Sequence, residues 1–417
     1  MAVFLSGISV AGYRSFPQRL ELDLRPLTLL YGRNNAGKSA ILRLLPIIGA
    51  SIADSASSAF DISAVSGPGS GFLDAVSQGN ELKRIDLSLK WAGPENAVLR
   101  DRFGLKYIDE IDQVIVDRLE IFDGDDHLAL KLTAEPYPDQ RHYQADVRNF
   151  APKNIEPLFE GLVPRHDHGI ETLGALRQRL LGLRHRIQWL KSVRTRWDRL
   201  VAKTGNQYRT LASDGAHAAE ILLSDKQTKN EAAEWYARSE IARGLEVLEQ
   251  VPRRYRILLN PETSAHQVDL LDTGEGMIQV LPVLVASSLA RQQGSNAILA
   301  IEEPESHLHG NAQQALAMHL CKIAASERPP TILAETHSRI LMLGIQLAIA
   351  ERRIAPERVC CYWVDQEASG ASLATKVEFD RFGRPIQGWP SVAFEEDQAL
   401  ARRLLDRQLQ GGAFDPT

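Results

Sequence analysis

A glycine-rich segment at 32–39 limits the possible folds more than any other part of the sequence. It reads GRNNAGKS and fits the pattern GxxxxGK[ST]. The apolar run LTLLY precedes it at 27–31, and the helix-like run AILRLL follows it at 40–45. In such a strand–loop–helix unit, backbone N–H groups and the helix N-terminus surround a phosphate group. We therefore predict a P-loop, in which Lys38 reaches the β- and γ-phosphates of ATP and Ser39 ligates Mg²⁺. The nucleotide-binding candidates here are Gly32, Asn34, Asn35, Ala36, Gly37, Lys38, Ser39 and Ala40.

The length and charge of the chain bound its class. Its 417 residues exceed what one compact core usually holds, so we expect a large α/β domain with an inserted or appended part. The net charge of -5 provides no overall basicity that would attract nucleic acid. No apolar run approaches the roughly 20 residues of a membrane span, and no basic lead segment indicates a signal peptide. We therefore expect a cytoplasmic protein with no membrane partner.

Periodicity in the second half of the chain indicates a parallel sheet. Short apolar runs at 297–301, 331–334 and 359–364 are typical of buried strands. Helical segments at about 313–325 and 339–352 separate these runs, and that alternation is typical of a parallel α/β core. The fold class that we predict is α/β, with an antiparallel β lobe, a parallel-sheet core and a helical insertion.

The division of the chain follows from the same patterns. We expect an N-terminal lobe with the P-loop at 1–133, an irregular and helical insertion at 134–250, and a C-terminal lobe at 251–417. Within the insertion, a helix is expected at 232–248. Pro46 is expected to bend or end the helix that follows the P-loop.

Two of the predicted core strands end in polar side chains. Glu302 and Glu303 follow the run at 297–301, and His337 lies just beyond the run at 331–334. Adjacent carboxylates at the tip of a buried strand repel each other unless a cation or an attacking water uses them. We predict that Glu302 supports Mg²⁺ and that Glu303 activates water, although an acidic loop after a buried strand is the alternative. His337 is a candidate donor to the γ-phosphate. The catalytic candidates are Glu303, His337 and Lys38.

The segment at 173–203 is rich in basic residues. Leu176, Leu180, Leu183, Ile187 and Leu190 recur at three and four residues, which predicts an amphipathic helix. Its charged residues are almost all basic, so the stretch 177–203 is a candidate for sequence-independent contact with DNA phosphates. The alternative is a solvated helix, or one docked on acidic groups of this chain or a partner. The basic residues are Arg177, Arg179, Arg184, Arg186, Lys191, Arg194, Arg196, Arg199 and Lys203.

Taken together, the motifs resemble those of a known family. The sequence has GYRSF at 12–16 before the P-loop, DTGEGMIQVLP at 272–282, IEEPESHLH at 301–309, ETHS at 335–338, and a tail ending in Trp389-Pro390. This order resembles the ABC ATPases of the RecF/SMC/OLD group, and most closely the OLD-like AAA-type ATPases of bacterial phage-defence loci. The resemblance covers 1–50 and 250–395. It implies a P-loop ABC-ATPase head.

The resemblance also implies residue roles. Arg14 matches an arginine that contacts the nucleotide, and Gly274 and Gly276 belong to a signature segment that meets the γ-phosphate held by a second protomer. Glu302 and Glu303 match the Walker B acid and the catalytic glutamate, and His337 matches the switch histidine. Gln78 is a weak candidate for the Q-loop glutamine. The sequence departs from the family at the signature, which lacks Leu-Ser-Gly-Gly, and at the D-loop, where His309 replaces Asp.

The same resemblance implies a switch that hydrolyses ATP. ATP would join two heads into a homodimer or higher homo-oligomer, and a separate effector protein, a nuclease or a toxin, would act in DNA-linked phage defence or DNA maintenance. A self-contained OLD-like nuclease is the first alternative. It needs a Toprim domain, but the 80 residues after His337 (417 − 337) contain no Glu followed by Asp-x-Asp. A transporter motor subunit is the second alternative, and it needs the standard signature.

Overall fold

The computed structural model describes residues 3–67, 69–94, 97–124, 127–135, 142–205, 208–239, 242–261 and 266–390, with 402, 403 and 406. No helix in these ranges is both long and apolar enough to span a bilayer. The helices are α1 (Lys38–Ser51), α2 (Ser63–Ser66), α3 (Glu171–Leu183), α4 (Ala218–Ser224), α5 (Lys226–Arg238), α6 (Glu275–Gln293), α7 (Gly310–Ala324) and α8 (Arg339–Ala350).

A six-stranded sheet forms the centre of the molecule. Its strands, in spatial order, are β12 (Ile187–Leu190), β17 (Ile298–Glu302), β18 (Thr331–Thr336), β3 (Leu27–Gly32), β19 (Val359–Gln366) and β20 (Ser372–Val377). All neighbours pair in parallel except β19 and β20. Every residue of β17 and β18 is buried, as expected for strands covered on both faces. The predicted parallel core is therefore confirmed, and the P-loop strand β3 lies inside it.

An eight-stranded antiparallel sheet forms the N-terminal lobe. Its strands, in spatial order, are β2 (Leu20–Asp23), β1 (Phe4–Ala11), β4 (Arg84–Ala92), β5 (Val98–Ile108), β6 (Gln113–Asp123), β7 (Leu128–Ala134), β8 (Tyr143–Val147) and β9 (Lys153–Ile155). Inward and outward residues alternate along β4, which gives the sheet one buried face. With the parallel core, this sheet confirms the mixed α/β fold class.

Smaller sheets complete the architecture. β10 (Phe159–Glu160) and β11 (Val163–Pro164) form a short hairpin. A separate antiparallel sheet contains β13 (Val201–Ala202), β14 (Ala242–Val251), β15 (Arg254–Pro261) and β16 (Val268–Asp269).

The central sheet separates two hydrophobic cores. Alternate residues of its strands point to opposite sides, so Leu29 lies in one core and Leu30 in the other. The first core contains the buried faces of α4 to α8, and the second contains α1, α3 and the antiparallel sheet. Because both faces are covered, the carboxyl ends of the parallel strands are where functional side chains meet.

The predicted basic helix is wrong beyond Leu183. α3 ends there, β12 follows, and residues 191–199 have no regular structure. The three-and-four spacing continued to Leu190, but Ile187 to Leu190 pair in parallel with Ile298 to Ile301 of β17. This long-range pairing overrides the local pattern.

Five arginines of that segment bond within the chain. Arg179 binds Asp101, Arg184 binds Asp54 and the Ile52 carbonyl, Arg194 binds backbone carbonyls, Arg196 binds Glu275, and Arg199 binds Asp272. The segment therefore docks on acidic and carbonyl groups of its own chain. For these five arginines this matches the alternative to DNA contact, and the single basic helix expected at 173–203 is replaced by α3, β12 and an irregular segment. Contact with DNA itself stays a prediction.

Two further expectations need correction. The helix expected at 232–248 ends at Arg238, and β14 begins at Ala242. α1 continues past Pro46 to Ser51, because the buried side chains on both sides of Pro46 hold that helix in place. The insertion expected at 134–250 contributes strands to the antiparallel, central and smaller sheets, and the division of the chain into lobes stays a prediction.

Candidate nucleotide site

The P-loop lies between the end of β3 and the start of α1. Gly32 and Gly37 have φ angles of 152° and 104°, which other residues rarely adopt. A Cβ at Gly32 would lie 2.0 Å from the Val364 carbonyl oxygen, so β19 excludes a side chain there. The loop therefore turns tightly into α1, which begins at Lys38. Of the remaining P-loop candidates, Asn34 and Asn35 are exposed, Ala36 is buried, and Ala40 lies in the first turn of α1.

Lys38 lies beneath this loop with only 3% of its surface exposed. Its Nζ donates hydrogen bonds to the carbonyl oxygens of Gly32, at 3.1 Å, and Arg33. Burial lowers the pKa of Lys38, whereas the negative charges of carboxylates nearby raise it. Those carboxylates belong to Glu335, Glu303 and Glu305. The P-loop ammonium and the acids of two other strand ends thus occupy one electrostatic environment.

Ser39 contacts an acid that sequence reasoning did not select. Its Oγ donates a 2.8 Å hydrogen bond to Oε1 of Glu335, near the end of β18. Glu335 is 5% exposed, and its Oε2 is buried with no hydrogen-bond partner among the described residues. Burial raises the pKa of Glu335, while the bond from Ser39 and the charge of Lys38 lower it.

Glu302 lies beside the site but faces an arginine. Arg43 Nε and Nη2 donate to its two carboxylate oxygens at 2.7 and 3.2 Å. The Trp189 indole N–H donates to the same carboxylate at 3.3 Å. The bond to Glu302 raises the pKa of Arg43, so the Arg43 guanidinium is charged at neutral pH. The structure therefore brings Glu302 to the site as the partner of Arg43.

Glu303 is held by its backbone. Its φ of 43° lies in the left-handed region, which is uncommon for a side chain of this type. Its N–H donates to the Glu335 carbonyl at 2.9 Å, and its own carbonyl accepts from Arg194 at 3.2 Å. Such strained backbone is often found where a side chain must point in one fixed direction.

Arg194 connects this acidic strand end to helix α6. The buried guanidinium donates to the carbonyls of Glu302, at 2.7 Å, and of Gln279, at 3.3 Å. The Gln279 side chain bonds back to the Arg194 backbone, with its Nε2 donating to the carbonyl at 3.0 Å. Burial lowers the pKa of Arg194 to about 10, despite the opposing effect of three nearby glutamates. One residue of the supposed DNA helix is thus a fixed part of the site.

Glu305 holds the loop that carries His337. Its Oε1 accepts bonds from Thr336 Oγ1 at 2.7 Å, from His337 N at 3.0 Å and from Ser338 N at 3.2 Å. The His337 side chain is largely exposed, but part of its ring is shielded from water. This shielding and the positive charge of Lys38 lower the pKa of His337, so the ring is neutral near pH 7.

Arg14 lies in a turn beside the P-loop. The Tyr13 hydroxyl in this turn donates to the Ala40 carbonyl at 3.1 Å, and a Cβ at Gly37 would lie 3.0 Å from Ser15 Oγ. Arg14 itself has a positive φ of 46° and donates to Ser66 Oγ at 3.2 Å. Gln78 is exposed in a loop next to this turn.

The signature candidates lie at the N-terminus of α6. Gly274 is the N-cap residue, and a Cβ there would meet no atom within 4 Å. A Cβ at Gly276 would lie 2.3 Å from the His307 carbonyl, so α6 packs directly on the loop after Glu303. The start of α6 therefore has open space beside Gly274, whereas Gly276 is in close contact with the His307 backbone.

The oxygen donors of the site suit Mg²⁺. This ion prefers oxygen ligands and keeps several of its waters. Ser39 and the free oxygen of Glu335 supply such atoms, but no group of three His, Cys, Asp or Glu side chains in the described ranges could hold a metal alone. A metal here would therefore need phosphate oxygens and water as well, as in other P-loop sites.

A P-loop on one strand of a parallel sheet, with carboxylates at the ends of the next two strands, defines a P-loop nucleoside triphosphatase. The chain belongs to the family described as "AAA domain, putative AbiEii toxin, Type IV TA system", whose model matches residues 27–343. It is therefore an ATPase of the AAA type. A comparison with curated proteins found no match.

Among solved structures, the chain is similar to several SMC heads. The Smc head bound to the C-winged helix domain of ScpA is 13% identical, with a TM-score of 0.47 over 91% of this chain and 98% of that one. The SMC head domain from Thermotoga maritima is 12% identical, with a TM-score of 0.46 over 90% and 99%. The Smc head with an extended coiled coil, bound to the C-terminal domain of ScpA and derived from Pyrococcus furiosus, is 12% identical, with a TM-score of 0.47 over 97% and 100%.

Proposed function

We propose that this protein binds ATP with Mg²⁺ at the P-loop and hydrolyses it to ADP and phosphate. The observation that carries the proposal is the meeting of Lys38, Ser39 and the acids of β17 and β18 at one sheet edge. Lys38 would neutralise the β- and γ-phosphates, and Ser39 would ligate the metal. Arg14, in the turn against the P-loop, would contact the nucleotide.

Glu303 would orient the attacking water, and His337 would contact the γ-phosphate. The backbone hydrogen bonds of Glu303 fix the position from which its side chain extends, and Glu305 fixes the loop that carries His337. Because His337 is neutral near pH 7, one ring nitrogen can donate to a phosphate oxygen without adding a charge.

ATP binding would also join two copies of the chain. The N-terminus of α6 is open at Gly274, and free N–H groups at a helix N-terminus attract phosphate. A second copy could present its γ-phosphate there, close to Gly276. Hydrolysis would then release the two copies, so the ATPase would act as a switch.

The biological setting is proposed on the family description and on the motif resemblance. The family description names a putative AbiEii toxin of a type IV toxin–antitoxin system, which supports a role in defence. The separate effector, a nuclease or a toxin, and the cytoplasmic location are proposed on the motif resemblance. We assign DNA contact to that effector, because Arg179 and Arg199 of the basic segment bond to carboxylates of this chain. Neighbouring genes that encode a nuclease or toxin would support this setting, and a neighbouring membrane permease would favour a transporter instead.

Lys38→Ala tests the site directly. We expect this variant to lose ATP binding, because the buried ammonium that faces the phosphates is removed. Isothermal titration with ATP would measure the binding, and phosphate release would measure the hydrolysis. Lys226→Ala is a matched control, because Lys226 is exposed at the start of α5. Wild-type affinity for ATP in Lys38→Ala would contradict the proposal.

A further inference from the structure

We propose that Glu335, and not Glu302, is the carboxylate that positions Mg²⁺ at Ser39; this inference rests on the proposed ATP site. The sequence placed that role on Glu302, at the end of β17. The structure shows that a second acid, Glu335, is hydrogen-bonded to the P-loop serine and has one carboxylate oxygen without a hydrogen-bond partner among the described residues. Glu335 acts here as a positioning residue, through the Ser39 hydroxyl and through water on the metal.

The order of the strands favours Glu335. β18 lies between β17 and β3, and Glu335 pairs with Leu30 on one side and with Glu302 on the other. Neighbouring strands lie about 4.8 Å apart, so Glu302 is one strand further from the P-loop. A carboxylate on β18 therefore reaches the start of α1 first.

The bond from Ser39 to Glu335 orients the serine oxygen. A hydroxyl has one hydrogen and two lone pairs, and here the hydrogen points to Glu335 Oε1 over a donor–acceptor distance of 2.8 Å. Both lone pairs of Ser39 Oγ are then free for a metal. A carboxylate that accepts the hydrogen of a metal ligand fixes its direction and raises its basicity.

The second oxygen of Glu335 lacks a partner. Glu335 is 5% exposed, and its Oε2 has no hydrogen-bond partner among the described residues. A buried acceptor without a donor is costly in a folded protein, so an unmet oxygen at a phosphate site indicates a ligand. Because Mg²⁺ keeps several of its waters, one of these can donate to Oε2.

Glu302, by contrast, is already occupied. Arg43 donates to both of its oxygens, and the Trp189 indole adds a third bond. Turning this carboxylate toward a metal would leave the Arg43 guanidinium without its partner. Glu302 thus fixes α1 against β17 and helps to shape the site.

The test compares ATP affinity in saturating Mg²⁺ with ATP affinity in EDTA, measured by titration calorimetry. The ratio of the two dissociation constants is the factor by which Mg²⁺ increases the affinity for ATP, called here the metal-dependent gain. A purely structural defect would lower the affinity under both conditions and leave this ratio unchanged. We expect Glu335→Gln to keep the affinity in EDTA but to lose about 10–100-fold of the gain, the usual effect of removing a partner of a metal ligand. Glu302→Gln should lose less of the gain than Glu335→Gln and should show a lower melting temperature than the wild-type protein.

Glu357→Gln serves as the control, because Glu357 is exposed. If Glu335→Gln does not fold, Glu335→Asp takes its place, since shortening the side chain also breaks the contact with Ser39 while keeping the charge. A full metal-dependent gain in the folded Glu335 variant would overturn the inference, as would loss of the gain in Glu302→Gln alone. A wild-type protein that binds ATP equally well in EDTA also overturns it but leaves the ATP site standing. Only a wild-type protein that binds no ATP at all would refute the proposed function itself.

Discussion

At the scale of single residues, Arg194 decides how the acidic strand end is held. Its guanidinium bonds to the carbonyls of Glu302, Glu303 and Gln279, so it ties the loop after β17 to helix α6. With a pKa of about 10, it stays charged at neutral pH even though it is buried. A positive charge among carbonyl oxygens holds them more firmly than a neutral donor would.

We expect Arg194→Met to destabilise the fold by about 3 kcal/mol, because buried carbonyls lose charged donors. The variant should also lower kcat more than it changes KM, because the backbone of Glu303 is released. Urea unfolding and steady-state ATPase kinetics would measure the two effects. Arg196→Met is the matched control, since Arg196 is exposed and pairs with Glu275 at the surface. An equal kcat in the two variants would show that Arg194 does not position Glu303.

Part of the candidate site could be predicted from local sequence. Lys38 and Ser39 follow from the glycine pattern and from the strand and helix around it. Arg43 was missed, although it lies four residues after Ser39 and so on the same face of α1. Glu335 was also missed as a site residue, although it is two residues before His337 and so on the same side of β18. Arg194 had no local signal, because its role depends on where β12 joins the sheet.

At the scale of elements, a helix or strand was predicted correctly where its local periodicity agreed with the strand pairing in the folded protein. The predicted strands near 298, 331 and 359 are confirmed, since their apolar runs are buried on both faces. β12 has no such run, and only its pairing with β17 makes it a strand. The same holds for β14, whose partner is β15. Apolar spacing alone cannot distinguish these strands from helix continuations.

The packing of α6 against α7 contains a buried histidine. His319 Nε2 lies 2.8 Å from Ser287 Oγ, and burial lowers the pKa of His319 from 6.5 to about 4. Burial is the main cause of this value; the nearby charges of Lys322 and Arg291 also contribute to the lowering, whereas that of Glu234 opposes it. The folded protein therefore keeps this ring neutral over a range in which the unfolded chain takes up a proton.

Stability should consequently fall as the pH is lowered from 6.5 to 4. The unfolded chain binds more protons than the folded protein in this window, and the loss contributed by His319 should approach about 3 kcal/mol. Unfolding free energies measured at several pH values would show the slope, and His319→Gln should flatten it. His127→Gln, at an exposed position, should leave it unchanged. An equally steep slope in His319→Gln would assign the pH dependence to other groups.

At the scale of the whole molecule, two hydrophobic cores share one sheet, and the nucleotide site lies at the carboxyl ends of its central parallel strands. The site therefore rests on both cores, while α6 presents Gly274 outward. This arrangement supports the proposed ATP-linked dimer, in which one copy would complete the nucleotide site of another.

We expect Glu303→Gln to bind ATP and to accumulate as a dimer, because the nucleotide that joins the two copies is no longer hydrolysed. Sedimentation velocity with and without ATP would measure the dimer fraction. The double variant Lys38→Ala with Glu303→Gln should stay monomeric under the same conditions. A monomeric Glu303→Gln protein at saturating ATP would refute ATP-linked dimerisation, and normal hydrolysis in that variant would place water activation elsewhere.

The position of β3 in the central sheet also sets the order of events during synthesis. Leu27 pairs with Ile332 on one side and with Val359 on the other, so its two neighbours are made 305 (332 − 27) and 332 (359 − 27) residues later. At about 5–20 residues per second, a ribosome would need on the order of 15–65 s to supply both neighbours. During that interval the glycine-rich loop exists without the strands that shape it. The nascent chain therefore carries the buried strand β3 without its partners during that interval, and the central sheet around the nucleotide site can form only after β19 has been made.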